Sequence, residues 1–356
     1  MRMKILKSVT VLFLAVILLI PSAAFSGQKK AQVTCMTTPF GTLQYTQAVA
    51  FEEVFKKAGS WVELKSQETP GGMYMIRYVN ENHPKMVSGE VPQVVVISSL
   101  GILPFVVDGR PPFDKFDIPT SRVGFSMPSF VNFFVTFDPN IKSLKDLEGR
   151  KVGMVDKARV FQGTIALGPY FRKGLNNWDK IDWQFIGTAN SKDALLNNTI
   201  DAHFATFMGS VKLADDGSYY MDAMAPGPAV MELMNSGRKL YFIPWEPEVI
   251  KRSYDFSKDM ISHPVLVKKG SVAGIDVDIW GRLTNGIFQI DATLPDDVLQ
   301  EMIRVRHNYR EELGKYHGTL KMLPENPYPI GTPEELLHPG LKKAMKNLGI
   351  PIPGEK

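Results

Sequence analysis

The stretch that decides the fold is Phe133–Thr164, FFVTFDPNIKSLKDLEGRKVGMVDKARVFQGT. Two apolar segments of strand type, Phe133–Phe137 and Lys151–Val155, flank a short acidic helix at Leu144–Leu147. A small polar turn then opens another helix near Thr164. A strand that ends in such a turn aims free backbone N–H groups and a partial positive charge at one point. That is a device for holding an anion.

The same device occurs twice more. Thr37-Thr38-Pro39-Phe40-Gly41-Thr42 lies between a strand at Gln32–Thr37 and a helix at Thr42–Lys57. Glu68-Thr69-Pro70-Gly71-Gly72-Met73 lies between a strand at Val62–Ser66 and a helix that starts at Gly72. The third copy is Arg159-Val160-Phe161-Gln162-Gly163-Thr164. In each turn Gly lets the backbone approach a ligand, and Thr caps the helix or donates to a carboxylate. Ordinary capping explains any one of them; three in equivalent positions point to a site. Further along, a short buried strand at Val94–Ser98 brings Ser98 and Ser99 to the same end of the sheet, and His203–Phe207 does so for Phe207.

Strands and helices alternate along most of the chain. That pattern predicts an α/β fold, with mostly parallel central sheets flanked by helices and ligands outside the carboxyl ends of the strands. The segment 104–128 reads as a surface loop leading to a crossing strand at Asn132–Phe137. Gly281–Asp291 reads as a returning strand, and 295–315 as one long helix with Pro295 near its first turn.

The N-terminus reads as a secretory signal. Arg2, Lys4 and Lys7 precede the apolar run Val9–Ile20, and small residues follow, which places cleavage after Ala24 or Ser26. About 330 residues then remain, a comfortable size for two lobes. Loss of the three basic residues takes the formal charge from +4 to +1, which gives no reason to expect nucleic-acid binding. One cysteine, Cys35, cannot form an internal disulfide and reads as a buried, inert thiol. The six histidines are scattered without ligand spacing, so no metal or other cofactor is expected. There is no Gly-x-Ser-x-Gly elbow, phosphate loop or His-Glu-x-x-His motif. An enzyme is therefore the weaker reading.

Several motifs carry a resemblance. They include Gly41-Thr42, Thr69-Pro70-Gly71-Gly72, Ser88-Gly89-Glu90, the run Ile141–Val152, Ile200-Asp201-Ala202, Leu294-Pro295-Asp296-Asp297 and His338-Pro339-Gly340. With these the chain resembles the extracytoplasmic solute receptors of TRAP transporters, in particular the TAXI branch. The resemblance implies a two-lobed periplasmic-binding-protein fold of type II with two crossing hinge strands. Lobe I would be residues 31–127 plus 276–356, and lobe II residues 128–275. It also implies a periplasmic location, TRAP membrane permease subunits as partners and a small organic anion as ligand. An ABC-transporter receptor, a periplasmic sensor domain and an enzyme are the alternatives.

The chain departs from the family where Met73 follows Gly72 and where Phe161-Gln162-Gly163-Thr164 replaces a smaller, more polar turn. Bulk in place of small donors points to an anion with an apolar or aromatic body. The expected ligand-binding set is Thr38, Phe40, Gly41, Thr42, Thr69, Pro70, Gly71, Gly72, Met73, Ser98, Ser99, Arg159, Phe161, Gln162, Gly163, Thr164 and Phe207. Arg159 is the expected counter-ion, since a guanidinium can grip a carboxylate with two hydrogen bonds.

Overall fold

The computed structural model describes residues 30–40, 42–156, 171–256 and 262–355. Strand β1 (Ala31–Thr37) leads through Thr42 into helix α1 (Leu43–Lys57), and β2 (Val62–Glu68) into α2 (Gly72–Ser88). These are followed by β3 (Gln93–Ser99), a short helix at Leu103–Val107, and the long β4 (Ser121–Thr136). A second group holds β5 (Lys151–Gly153), β6 (Asp182–Gln184), helix α3 (Thr188–Leu196) and β7 (Ala202–Gly209). Short strands β8 (Lys212–Leu213), β9 (Tyr219–Met221), β10 (Met224–Pro226), β11 (Tyr241–Ile243) and β12 (His263–Val267) precede β13 (Ile279–Asp291). Helices at Asp296–Asn308, Arg310–Tyr316 and Leu341–Asn347 close the chain.

Among the described residues all thirteen strands join one sheet, whose main path runs β2-β1-β3-β13-β4-β7-β5-β6. The flanks are parallel: β1 with β2 and β3, and β5 with β6 and β7. The centre is antiparallel, where β13 pairs with β3 and β4, and β4 pairs with β7. The fold is thus α/β with parallel flanks and an antiparallel middle.

That middle serves two hydrophobic cores. Val123, Phe125 and Met127 of β4, with Ile287, Phe288 and Ile290 of β13, are buried with Phe51, Val54, Leu299 and Met302. Further along, Val131, Phe133 and Val135 of β4 and Leu283 of β13 are buried with Phe204, Trp245 and Ile250. The same two strands therefore cross from one core to the other. Rings mark each end: Phe125 stacks on Phe288 at 4.6 Å, and Phe133 meets Phe207 and Phe242 edge-on at 6.0 and 5.7 Å. The second core also takes Ile76, Phe105, Val106, Phe113 and Ile118 from the N-terminal part, so the two halves are in contact.

Three expectations change. The segment 121–128 is strand, not loop: residues 123–136 are buried on both faces, so no polar alternation betrays the strand. The long C-terminal helix breaks at Tyr309, whose ψ of 21° lies outside the helical range. The stretch at Leu144–Leu147 is a single 3-10 turn with a capping box. There the Asp146 carboxylate accepts hydrogen bonds from the backbone N–H groups of Lys142 and Ser143, each at 2.9 Å. Gly149 then turns the chain at φ 75°.

Cys35 is fully buried, and burial pushes its thiol up to about 12, so it is inert in the folded protein. His338 organises the last turn. It accepts from the Gly340 N–H at Nδ1 (3.0 Å) and donates from Nε2 to the Leu294 carbonyl (3.1 Å).

His203 on β7 is buried beside Ser191, with Oγ to Nδ1 at 2.6 Å, and burial pulls its imidazole down to about 4. Gly153 makes room for this pair, since a Cβ there would meet Ser191 Oγ at 2.0 Å. The unfolded imidazole titrates near 6.5. Between pH 6.5 and 4 the unfolded chain therefore binds the extra proton, and stability falls as pH falls. The stabilisation is complete above about pH 6.5, and its loss on acidification amounts to about 3 kcal/mol from this group. Chemical denaturation at a series of pH values is expected to show that slope, and His203→Gln to flatten it; an equal slope in both proteins would contradict this origin.

Candidate functional site

The parallel register of β1, β2 and β3 brings their carboxyl ends together. Thr37 lies opposite Glu68, and Met36 opposite Val96. The first two turns are tied to each other there. The Thr69 N–H and its Oγ1 both donate to the Thr37 carbonyl, at 2.9 and 2.8 Å. The Phe40 N–H donates to Glu68 Oε1 at 3.0 Å. Thr69 Oγ1 also accepts from the Gly71 N–H at 3.3 Å, and Gly71, at φ 131°, starts α2 in a conformation that favours glycine.

In the first turn the Thr42 hydroxyl is saturated locally. It donates to the Pro39 carbonyl at 2.7 Å and faces Thr38 Oγ1 at 2.6 Å. It also accepts from the Tyr45 N–H at 3.4 Å. A hydroxyl has one hydrogen and two lone pairs, so Thr42 acts as the helix cap. Phe40 is 76% exposed and meets Tyr45 edge-on at 5.3 Å. In the second turn Pro70 and Gly72 are exposed, while Met73 packs against the second core.

Ser98 and Ser99 lie opposite Ile287 and Gly286 of the crossing strand. Phe207 is a core residue, fully buried against Phe133 and Phe242. Gly41 and the whole third turn, with Arg159, Phe161, Gln162, Gly163 and Thr164, lie outside the described residues. Arg77 is exposed, its guanidinium 5.7 Å from the Tyr74 ring.

A polar group that the turns did not announce lies on the crossing strands. Strand residues alternate between faces, so Arg282, Thr284 and Gly286 share one face of β13. Arg282 lies opposite Asn132, and Asn132 opposite Thr206. The next row is Thr284, Phe130 and Met208. Arg282 and Asn132 are fully buried. Arg282 Nη1 donates to Asn132 Oδ1 at 3.0 Å, and Asn132 Nδ2 donates to Thr206 Oγ1 at 3.0 Å. At Gly286 a Cβ would lie 2.2 Å from the Pro128 carbonyl, so only glycine lets the two strands approach here.

Helix α1 covers the same face. Gln47 is one turn before Phe51 on the buried stripe, and its Nε2 reaches Met208 Sδ on β7 at 3.6 Å. Helix α1, which packs on the first core, thus reaches β7 through Gln47 and Met208. A charged residue inside an apolar strand, Trp280-Gly281-Arg282-Leu283, and an amide inside Val131-Asn132-Phe133 were the sequence signals for this group. Surface hollows elsewhere lie around Trp61 and Arg304 and around Arg310 and Lys321.

Residues 117–230 match the protein family described as NMT1/THI5 like. No curated protein matches the chain. Among solved structures it is similar to the periplasmic sulfonate-binding protein SsuA of Methylobacillus flagellatus, at 12% identity and TM-score 0.47, over 91% of this chain and 96% of that one. It is also similar to MatC of Rhodopseudomonas palustris with bound malate, at 14% identity and TM-score 0.45, over 89% and 97%. A TctC solute-binding protein from Polaromonas has 12% identity and TM-score 0.42, over 90% and 89%.

The tie between the two turns makes a direct prediction. Thr69→Val removes one donor to the Thr37 carbonyl and the acceptor of the Gly71 N–H, and is expected to cost about 1–3 kcal/mol in urea unfolding. No measurable change would show that the turns hold without it.

Proposed function

We propose that this chain is an extracytoplasmic solute receptor that captures a small organic anion between two lobes and hands it unaltered to a TRAP-type secondary transporter of the TAXI kind. The signal-like N-terminus would export it, and among the described residues no helix is long and apolar enough to cross a membrane. Lobe I would comprise residues 31–127 and 276–356, and lobe II residues 128–275.

One observation carries this reading: two hydrophobic cores share β4 and β13, and a buried cation, Arg282, lies where they meet. Two antiparallel strands bend more easily than a packed core deforms, so they suit a hinge between two rigid halves. An anion placed between the halves would gain contacts from both, and binding favours closure by its differential affinity for the closed state. The turns at Thr38–Thr42 and Thr69–Met73 would line one side. Arg159 with Phe161–Thr164 would line the other, and Arg282 would form the charged floor. The Arg282 guanidinium donates to Asn132, which fixes one of its donors in place. The exposed Phe40 ring would cover the apolar body of the ligand as the halves close.

The mature protein isolated from periplasm and examined by native mass spectrometry is expected to carry a small carboxylate that is released unchanged on denaturation. Arg282→Met is expected to lose that passenger while still unfolding cooperatively. A passenger chemically converted during incubation would mean an enzyme. An undiminished passenger in the Arg282→Met protein would remove Arg282 from the site.

A further inference from the structure

Residues Pro324–Gly331 run along the crossing strands from one core to the other. Their start is held on the side of the first core. Arg306 donates to the carbonyls of Pro324 and Glu325, at 2.6 and 3.1 Å. Asn326 donates to the Pro351 carbonyl at 2.8 Å, and Tyr328 packs against the first core. The middle is fixed to the strands where β4 carries its extra residue, between Met127 and Phe130. Ser126 donates to the Pro327 carbonyl from its N–H at 2.8 Å and to the Asn326 carbonyl from Oγ at 3.1 Å. Asn285 donates to the Ile330 carbonyl at 2.6 Å and accepts from the Ser129 hydroxyl at 3.2 Å. The tip reaches the side of the second core. At Gly331, φ 76°, a Cβ would lie 2.8 Å from the Tyr219 hydroxyl and 3.6 Å from His263 Nε2. Tyr219 packs on the second core, its ring centroid 4.8 Å from that of His263.

The segment is stiff. Pro324, Pro327 and Pro329 each hold φ near about −65°. Between them the Tyr328 N–H donates to Asn326 Oδ1 at 2.8 Å, and the Ile330 N–H donates to the Tyr328 carbonyl at 3.0 Å. Asn285 follows Thr284 on β13, so it projects from the opposite face to Thr284 and Arg282. The segment therefore lies on the other side of the joint from Arg282. A bulge is where a strand pair bends most readily. Bending there changes the separation of Ser126 and Tyr219. A stiff segment bonded to the first and seated on the second resists that change. Resting on the two-lobed receptor reading above, we propose that Pro324–Gly331 is a brace across the hinge: anchored by Arg306, pinned at the bulge by Ser126 and Asn285, and seated on Tyr219, it limits how far the two halves swing.

Gly331→Ala and Tyr219→Phe test this as a pair. The added methyl group meets the Tyr219 hydroxyl and lifts the tip; with the hydroxyl removed, the methyl group has room. Spin labels at Lys65→Cys and Lys239→Cys, one on each half and both exposed, read the spread of separations by double electron–electron resonance in protein refolded free of solute. Gly331→Ala is expected to broaden the solute-free distribution. In the Tyr219→Phe background the same substitution should add little further width. If Gly331→Ala does not unfold cooperatively in urea, Asn285→Ala, which releases the Ile330 carbonyl, takes its place with the same expected broadening. A wild-type width in the substituted protein would overturn the brace. So would equal broadening by Gly331→Ala with and without the Tyr219 hydroxyl, since that is the strain of alanine at positive φ alone. In either case the receptor reading stands if the wild-type distribution still narrows with the co-purifying anion. If neither that anion nor any substitution moves the distribution, both fall.

Discussion

The pairing of β4 with β13 is the constraint on which the rest of the structure depends. Nine register pairs join the two strands, from Arg282–Asn132 at one end to Asp291–Ser121 at the other. Each strand gives its first half to one hydrophobic core and its second half to the other. The two cores are thereby joined by continuous strands, and Ile76, Phe105, Val106, Phe113 and Ile118 add direct packing between the halves. At the centre Gly286 permits the close approach, and β4 inserts an extra residue between Met127 and Phe130, which adds local twist. Everything proposed about capture and closure turns on a joint that is continuous and polar on one face.

That polar face is an expensive arrangement for stability alone. Burying a guanidinium removes it from water at a cost of several kcal/mol. A second buried arginine shows how the fold treats a purely structural cation. Arg306, pulled down to about 9 by burial, donates to the carbonyls of Pro324 and Glu325 and to Ser126, and so pins the 324–327 loop to β4. Arg306 is spent on backbone carbonyls that need donors. Arg282 is held by an amide in a row of hydroxyl-bearing side chains that faces the junction.

Much of the fold was legible in the sequence. Periodicity and caps placed β1, α1, β2 and the start of α2 within a residue or two, because each is bounded by a turn with defined chemistry. The Asp146 and Gly149 motif was visible because its residues act locally, within one turn. The segment 121–128 was hidden, since a strand buried on both faces has no alternation and Pro128 suggested a loop. The site was less legible than the fold. The turns read as ligand loops; in the structure the Thr42 hydroxyl caps α1 and Phe207 packs in the second core. Arg282 and Thr284, Asn132, and Gln47 come from three separate stretches, and only the sheet register and α1 packing bring them together.

The most direct test is the distance between the two halves. Cys35 is buried and its thiol is inert, so cysteines introduced at the exposed Lys65 and Lys239 can be spin-labelled selectively. Double electron–electron resonance without solute and with the co-purifying anion then reads the separation directly. The account predicts a broad or longer distribution without solute that collapses to one shorter distance on binding. An identical distribution in both conditions, with binding verified in the same sample, would contradict it.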